Sequence, residues 1–308
     1  MIALLVACVP LLEDDTPYVG APRLLAVAAD PPEVGEGAGT TLSALYAGAD
    51  GVVADAVIDW SFCTAPKALA ELGAVAPTCL DPDSADLLPI GEGTSLPAVV
   101  PADACSLFGP NPPPPQDGQP GGRPADPDVT GGYYQPVLAF TDVATLAAVR
   151  VRCGLANVSQ ETYIAWNAAY VSNANPVVEA IDADGVPLAL EADGLPTTVV
   201  GGAAVSLTAS WATCDAAPCG GAEPYVVYDV PSDALLARRE AISATWFTSA
   251  GTFDEARNGR DGGDSTNFVT NTLTIPAEGG PIWAAVVLRD ERGGVAFQSF
   301  RLDSSSNP

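Results

Sequence analysis

Seven cysteines and a scatter of closely spaced carboxylates are the residues of this chain that could do chemistry. After Cys8, the cysteines at 63, 79, 105, 153, 214 and 219 form an even set. A thiolate metal site needs Cys-x-x-Cys spacing or histidine partners, and the chain has neither. An even set in an exported chain reads as disulfides. Four cysteines in the first half allow three connectivities. Strand alternation turns Trp60 inward and Cys63 outward or into the loop, where Cys79 follows in sequence. Cys153 shares a face with Val149 and Val151, so it points to the core and takes Cys105. Cys214 and Cys219 remain for each other.

The carboxylates fall in glycine-rich turns: Asp182 and Asp184 before Gly185, and Asp261 and Asp264 around two glycines. Asp81, Asp83 and Asp86 make a third group. Calcium takes six to eight oxygens, and such turns supply a few of them. None of the three is an EF-hand loop, and Asp-Gly is also the ordinary chemistry of tight turns. No cofactor is expected. The chain has no histidine, which removes Ser-His-Asp triads, Cys-His dyads and His-ligated zinc or haem. Lys67 is the only lysine available for Schiff-base chemistry. A carboxylate pair could hydrolyse a glycoside. With 38 acidic residues, however, the presence of a suitable pair carries no information. Tyr133, Tyr134, Tyr163 and Trp166 could stack on a sugar, but aromatics in strands serve more commonly as core or cross-strand partners.

The same acids give a net charge of −26 against 12 basic residues. A surface of that sign repels phosphate backbones, so nucleic acid is not a partner. Hydrophobic residues make up 48% of the chain and charged ones 16%, a globular composition.

The elements that must carry these residues read as short strands broken by Gly, Pro and Asp. Strands are expected at 23–29, 41–47, 56–62, 133–140, 147–155 and 162–171, with a short helix at 67–73 and a Pro/Gly loop at 107–128. In the strand at 147–155, Arg150 and Arg152 are assigned to the outer face. A second series follows at 177–181, 203–211, 241–247, 268–275, 282–289 and 295–302, the last two closed by the glycines at 293 and 294. A turn-rich joint, Asn173-Ala174-Asn175-Pro176, divides the two series. The expected fold class is all-β: two tandem immunoglobulin-like sandwiches, 22–173 and 174–308, after a tether at 1–21.

Two resemblances add to this. Leu5-Val6-Ala7-Cys8 resembles a bacterial lipobox, which implies lipidation of Cys8 and a membrane anchor. An acidic, Pro-containing tether follows, and Val9 stands where Asp would signal inner-membrane retention, which implies the outer membrane. The apolar run before Cys8 is short and lacks a basic flank. The motifs Trp60-Ser61-Phe62-Cys63, Trp211-Ala212-Thr213-Cys214 and the strand around Trp246 resemble bacterial immunoglobulin-like or PKD-like modules. The segments 131–136 and 288–294 resemble parts of secreted bacterial lipoproteins of unassigned function. Cys214 and Cys219 lie too close in sequence to reproduce the inter-sheet disulfide of antibody domains.

The chain therefore reads as a cell-surface lipoprotein acting as a structural or binding module, with a protein or glycan ligand open. A calcium- or carbohydrate-dependent adhesive module is the second reading, and a carboxylate-based hydrolase the third.

Overall fold

Period-two alternation of large apolar residues builds this molecule, and it does so on both faces of its central strands. The computed structural model describes residues 17–66, 74–110, 128–190 and 195–305. Cys8, the helix expected at 67–73 and most of the loop at 107–128 lie outside the described residues.

The first half carries β1 (Arg23–Asp30), β2 (Glu33–Val34), β3 (Gly39–Gly48), β4 (Gly51–Val52), β5 (Asp59–Cys63), β6 (Leu87–Glu92), β7 (Ser95–Val99), α1 (Ala104–Phe108), β8 (Gly132–Phe140), β9 (Ala144–Arg152) and α2 (Gln160–Ala169). The second half carries β10 (Val178–Ala183), β11 (Val186–Pro187), β12 (Thr197–Val200), β13 (Ala204–Trp211), β14 (Pro224–Asp229), β15 (Ala234–Arg239), β16 (Ile242–Thr248), β17 (Thr252–Phe253), β18 (Arg257–Arg260), β19 (Phe268–Thr274), β20 (Gly280–Asp290) and β21 (Val295–Ser305).

Each half is a two-sheet sandwich. In the first, β1, β3, β4 and β7 face a sheet ordered β2-β9-β8-β5-β6. In the second, the orders are β11-β10-β13-β19-β17 and β12-β21-β20-β16-β18. Both begin alike: the opening strand (β1 or β10) pairs antiparallel with the next long strand, and a short piece then crosses to run parallel with the last strand. The fold is all-β and immunoglobulin-like. Trp60 on β5 and Trp246 on β16 hold equivalent places and are fully buried. Trp211 sits instead at the end of β13, so the two Trp-x-x-Cys motifs are not structural counterparts.

The turn Asp184-Gly185 has φ of 50° and 78°, the left-handed pair that a tight hairpin between β10 and β11 requires. The strand expected at 162–171 is a helix. Ser159 caps it by accepting from the Thr162 N–H at 3.0 Å, and Glu161 lies in its first turn. Its Tyr163, Trp166 and Tyr170 fall at helical rather than alternating spacing, with ring centroids 5.6 and 4.7 Å apart. The insert β14–β15 folds back from the second half onto α2, and the Tyr228 N–H donates to the Val129 carbonyl at 2.8 Å.

Three disulfides join Cys63 to Cys79, Cys105 to Cys153 and Cys214 to Cys219. Their Cα separations of 5.4–5.9 Å are those of unforced bridges. Cys63 does lie on the face opposite Trp60, but it is not outward. The segment around Val75 and Ala76 covers it, and a small cluster with Leu138 and Phe140 buries it completely. Such bridges form and persist in oxidising compartments, so the chain matures outside the reducing cytosol.

The halves also share a core. At a bulge between Leu24 and Ala26, both Leu25 and Ala26 turn to the outer face of β1, beside Leu45 and Ala47 of β3. Phe247, Trp283, Ala285 and Val287 from the second half pack against them. Just upstream of β1, the Val19 N–H donates to the Thr248 carbonyl, and the Thr248 N–H to that of Pro17.

Candidate functional site: a buried charge network between the sandwiches

Where the two sandwiches meet, four carboxylates and two guanidiniums are withdrawn from water: Glu33, Glu223, Glu240 and Asp290 with Arg150 and Arg292. Strand alternation assigns Arg150 to the outer face of its strand. It does face away from the first core, but the side chain is only 2% exposed because the linker after α2 covers it.

Parallel pairing of β2 with β9 sets Glu33 directly beside Arg150, Nε to Oε2 3.1 Å. Glu33 also accepts from the Asn173 N–H at 2.9 Å and from the Tyr170 hydroxyl. Arg150 spends its remaining donors on Tyr134 Oη (3.2 Å) and Thr130 Oγ1 (2.6 Å). Its guanidinium lies so close over Gly132 that any Cβ there would collide with it.

Asn173 passes the network to the second half by donating from Nδ2 to both oxygens of Asp290, each at 3.2 Å. Asp290 closes the β20–β21 hairpin through the N–H groups of Arg292 and Gly294 at 2.9 and 2.8 Å. A side chain at Gly294 would strike the Asp290 carboxylate. Arg292 then bridges the two ends of the β14–β15 insert, donating from Nε to Glu240 and from Nη2 to Glu223 at 2.8 Å. Its Nη1 reaches the Val171 carbonyl at 2.9 Å, and Tyr225 covers its face at 4.9 Å. Glu223 also accepts from the Cys219 N–H (2.7 Å) and the Ala174 N–H (3.0 Å), so the short disulfide loop is part of the same assembly.

Acids outnumber cations here, and burial makes each ionised acid costly. Burial pushes the Glu223 and Asp290 carboxyls up from their ordinary range. Glu240 is pushed up to about 8, first by burial and then by the Asp290 charge, against the opposing pull of Arg292. Between the ordinary value of 4.5 and about 8, the folded chain holds a proton that the unfolded chain has lost. The stabilisation this represents is complete below pH 4.5 and disappears as pH rises through 8. With no histidine in the chain, no other side chain of ordinary pKa titrates in that window. The melting temperature should therefore fall steadily from pH 5 to pH 8.5, and Glu240→Gln should flatten the slope. A melting temperature that is level or rising over this range in the parent protein would contradict the placement of Glu240.

The carboxylates singled out from the sequence are elsewhere, and four of them are engaged in their own turns and strands. Asp184 accepts from the Ser206 N–H at 3.0 Å, and Asp182 lies on β10 beside that hairpin. Asp261 caps its own turn through the Gly263 N–H at 3.0 Å. Asp264 accepts from the Thr266 N–H at 2.8 Å and pairs with Arg260 at 3.3 Å; the Thr266 bonds hold its carboxyl below the usual range. Asp81 accepts from the Asp83 N–H. Among the described residues, no three acidic or cysteine side chains converge on a point that could hold a metal ion. Of the aromatics, Tyr133 and Trp166 are buried and Tyr134 and Tyr163 part-exposed. Trp166 and Tyr170 stack on Arg152 at 5.2 and 4.3 Å.

No family model matches this chain, and no curated protein is significantly similar to it in sequence. Solved structures that match the chain include the Yersinia pseudotuberculosis adhesin InvE, at 9% identity and a TM-score of 0.22. That match covers 90% of this chain and 58% of the adhesin. The fibronectin(III)-like modules of Clostridium thermocellum CbhA match at 11% identity and a TM-score of 0.21, over 92% of this chain and 94% of theirs. A third is three N-terminal domains of the bacteriophage RB49 outer capsid protein Hoc, at 10% identity and a TM-score of 0.21, over 93% of this chain and 71% of that one. Scores this low set no functional precedent.

Proposed function

We propose that the chain is a rigid two-sandwich module of the cell surface, anchored to the outer membrane through a lipidated Cys8, which acts by binding or by spacing and not by catalysis. The observation that carries this reading is the use made of the buried charges. Each of the six has its polar atoms matched to donors or acceptors of the chain itself, in a setting closed to water. A general acid or base needs an open position for substrate, whereas charges matched to one another in a closed setting fix geometry. Three disulfides and a second apolar core at the junction serve the same end.

The anchor is tested in cells of a Gram-negative host. Mature protein should begin at Cys8 and partition into detergent, since two or three acyl chains hold a protein on a membrane where one does not. Cys8→Ala should move it to the soluble fraction. A mature N-terminus elsewhere, found by mass spectrometry, overturns the anchor. Turnover of a glycosidic substrate, abolished by one Asp or Glu substitution, overturns the non-catalytic reading.

A further inference from the structure

The free edge of β9 combines open backbone groups with an adjoining groove. The Arg150 N–H donates to Pro32 at 3.0 Å, on the β2 side, and the Cys153 N–H donates to Gly131 at 3.1 Å, on the β8 side. Backbone groups alternate sides along a strand, so those of Leu146 and Ala148 point the same way as Arg150. There β2 offers no partner, because it pairs with β9 only at Arg150 and Val151. Leu146 and Ala148 are exposed.

Exposed edges are normally guarded by charge, proline, a bulge or brevity. Several other free edges among the described residues follow that rule. β6 has Pro89 and a bulge, β7 has Pro97, β18 has two arginines, and β12 has four residues. The stretch 144–149 (ATLAAV) has none of these guards, in a chain with 38 acids.

Two adjoining cavities of about 230 and 440 Å³ share Tyr134, Leu146, Ala147 and Ala148 as walls. The smaller is closed on one side by β1 and on the other by Arg289 and Val295 of the second half. Arg289 meets only Thr245 Oγ1, at 3.2 Å, and no carboxylate among the described residues; its charged neighbour is Arg257. Tyr134 accepts from Arg150, and its hydroxyl proton is left to donate. Apolar walls with donors at one end suit a chain that brings an acceptor.

We propose that this edge takes an extended peptide segment of a partner protein by strand addition to 144–149, with apolar residues alternating and a carboxylate reaching Arg289. A polypeptide alone supplies backbone groups at the two-residue period that Leu146 and Ala148 present. A second copy fits poorly, because its own β9 edge lies in the same crevice between β1 and the β20–β21 hairpin.

The inference rests on the reading of the chain as a binding module, and its failure leaves the anchor and the rigid junction untouched. A random dodecapeptide library displayed on phage is panned against the intact protein, and the enriched peptides are synthesised and titrated. Enriched sequences should alternate apolar residues and carry an acidic side chain or a free C-terminus. Bound peptide should slow amide exchange at Leu146 and Ala148. Ala148→Pro removes an N–H that no described residue accepts. It should weaken binding by about tenfold or more, the equivalent of one lost hydrogen bond. Ala148→Lys, which leaves the backbone intact, should do the same, and Arg289→Gln should abolish the preference for a carboxylate. Three results would overturn the proposal: no enrichment, binding indifferent to both Ala148 variants, or a concentration-dependent dimer of the free protein that Ala148→Lys dissolves.

Discussion

Replacing Arg292 by Met should destabilise the protein by about 3–5 kcal/mol, the range for removing one partner of a buried ion pair. Arg292 is the cation of the second half of the network and touches Glu223, Glu240 and the Val171 carbonyl at once. Met keeps the apolar stem under Tyr225 but leaves those three acceptors without their donor. Lysine should recover little, because a single ammonium cannot reproduce a fork that spans two carboxylates. The loss should be largest in chemical denaturation at pH 9, where Glu240 has given up its proton, and shrink as pH falls through 8 and that acid takes it back. A change below about 1 kcal/mol at pH 9, the value of a surface pair, would mean that the network is open to water.

Trp283→Ala should cost about as much, roughly 3–5 kcal/mol, through the cavity it leaves. Trp283 is 1% exposed although it faces away from the core of its own sandwich. Its neighbours on that face, Phe247, Ala285 and Val287, are buried only because β1 and β3 of the other sandwich lie on them. The substitution therefore removes packing between the halves and leaves each separate core intact. Calorimetry of this variant should show the halves beginning to melt apart, while the parent melts in one transition. An unchanged melting temperature would show that the second core does not form in solution.

The parts of this architecture legible in the sequence were those set by local pattern. Alternation at Trp60 and Phe62, at Val149 and Val151, and across 268–275 gave strands in nearly the observed places. Turn chemistry gave the tight turn at Asp184-Gly185, though not the short strand β11 beyond it, and the hairpin at 290–294. Strands of weaker character escaped: β6 holds Pro89 and Gly91, and β15 ends in two arginines. The helix at 160–169 reads as a strand from its aromatic and β-branched residues, Tyr163, Ile164 and Trp166, whereas Ser159 caps a helix there.

The network was hidden for a different reason. A charged residue at an outward position reads as solvated, and only the tertiary arrangement reveals that a second domain or a linker covers that face. One signal was present. The run 282–288 (IWAAVVL) is apolar without interruption, which marks a strand buried on both faces. Because its sandwich core claims only Ile282, Ala284, Val286 and Leu288, the other face needed a partner. The outward residues of β3, Leu45 and Ala47, supply the matching surface.

The central claim is that the two sandwiches form one rigid body. Residual dipolar couplings of backbone N–H vectors in a weakly aligned sample test it most directly. At pH 6, one alignment tensor should fit the couplings from β1 to β9 together with those from β10 to β21. Two tensors of clearly different magnitude would show that the halves move independently, and would contradict the account.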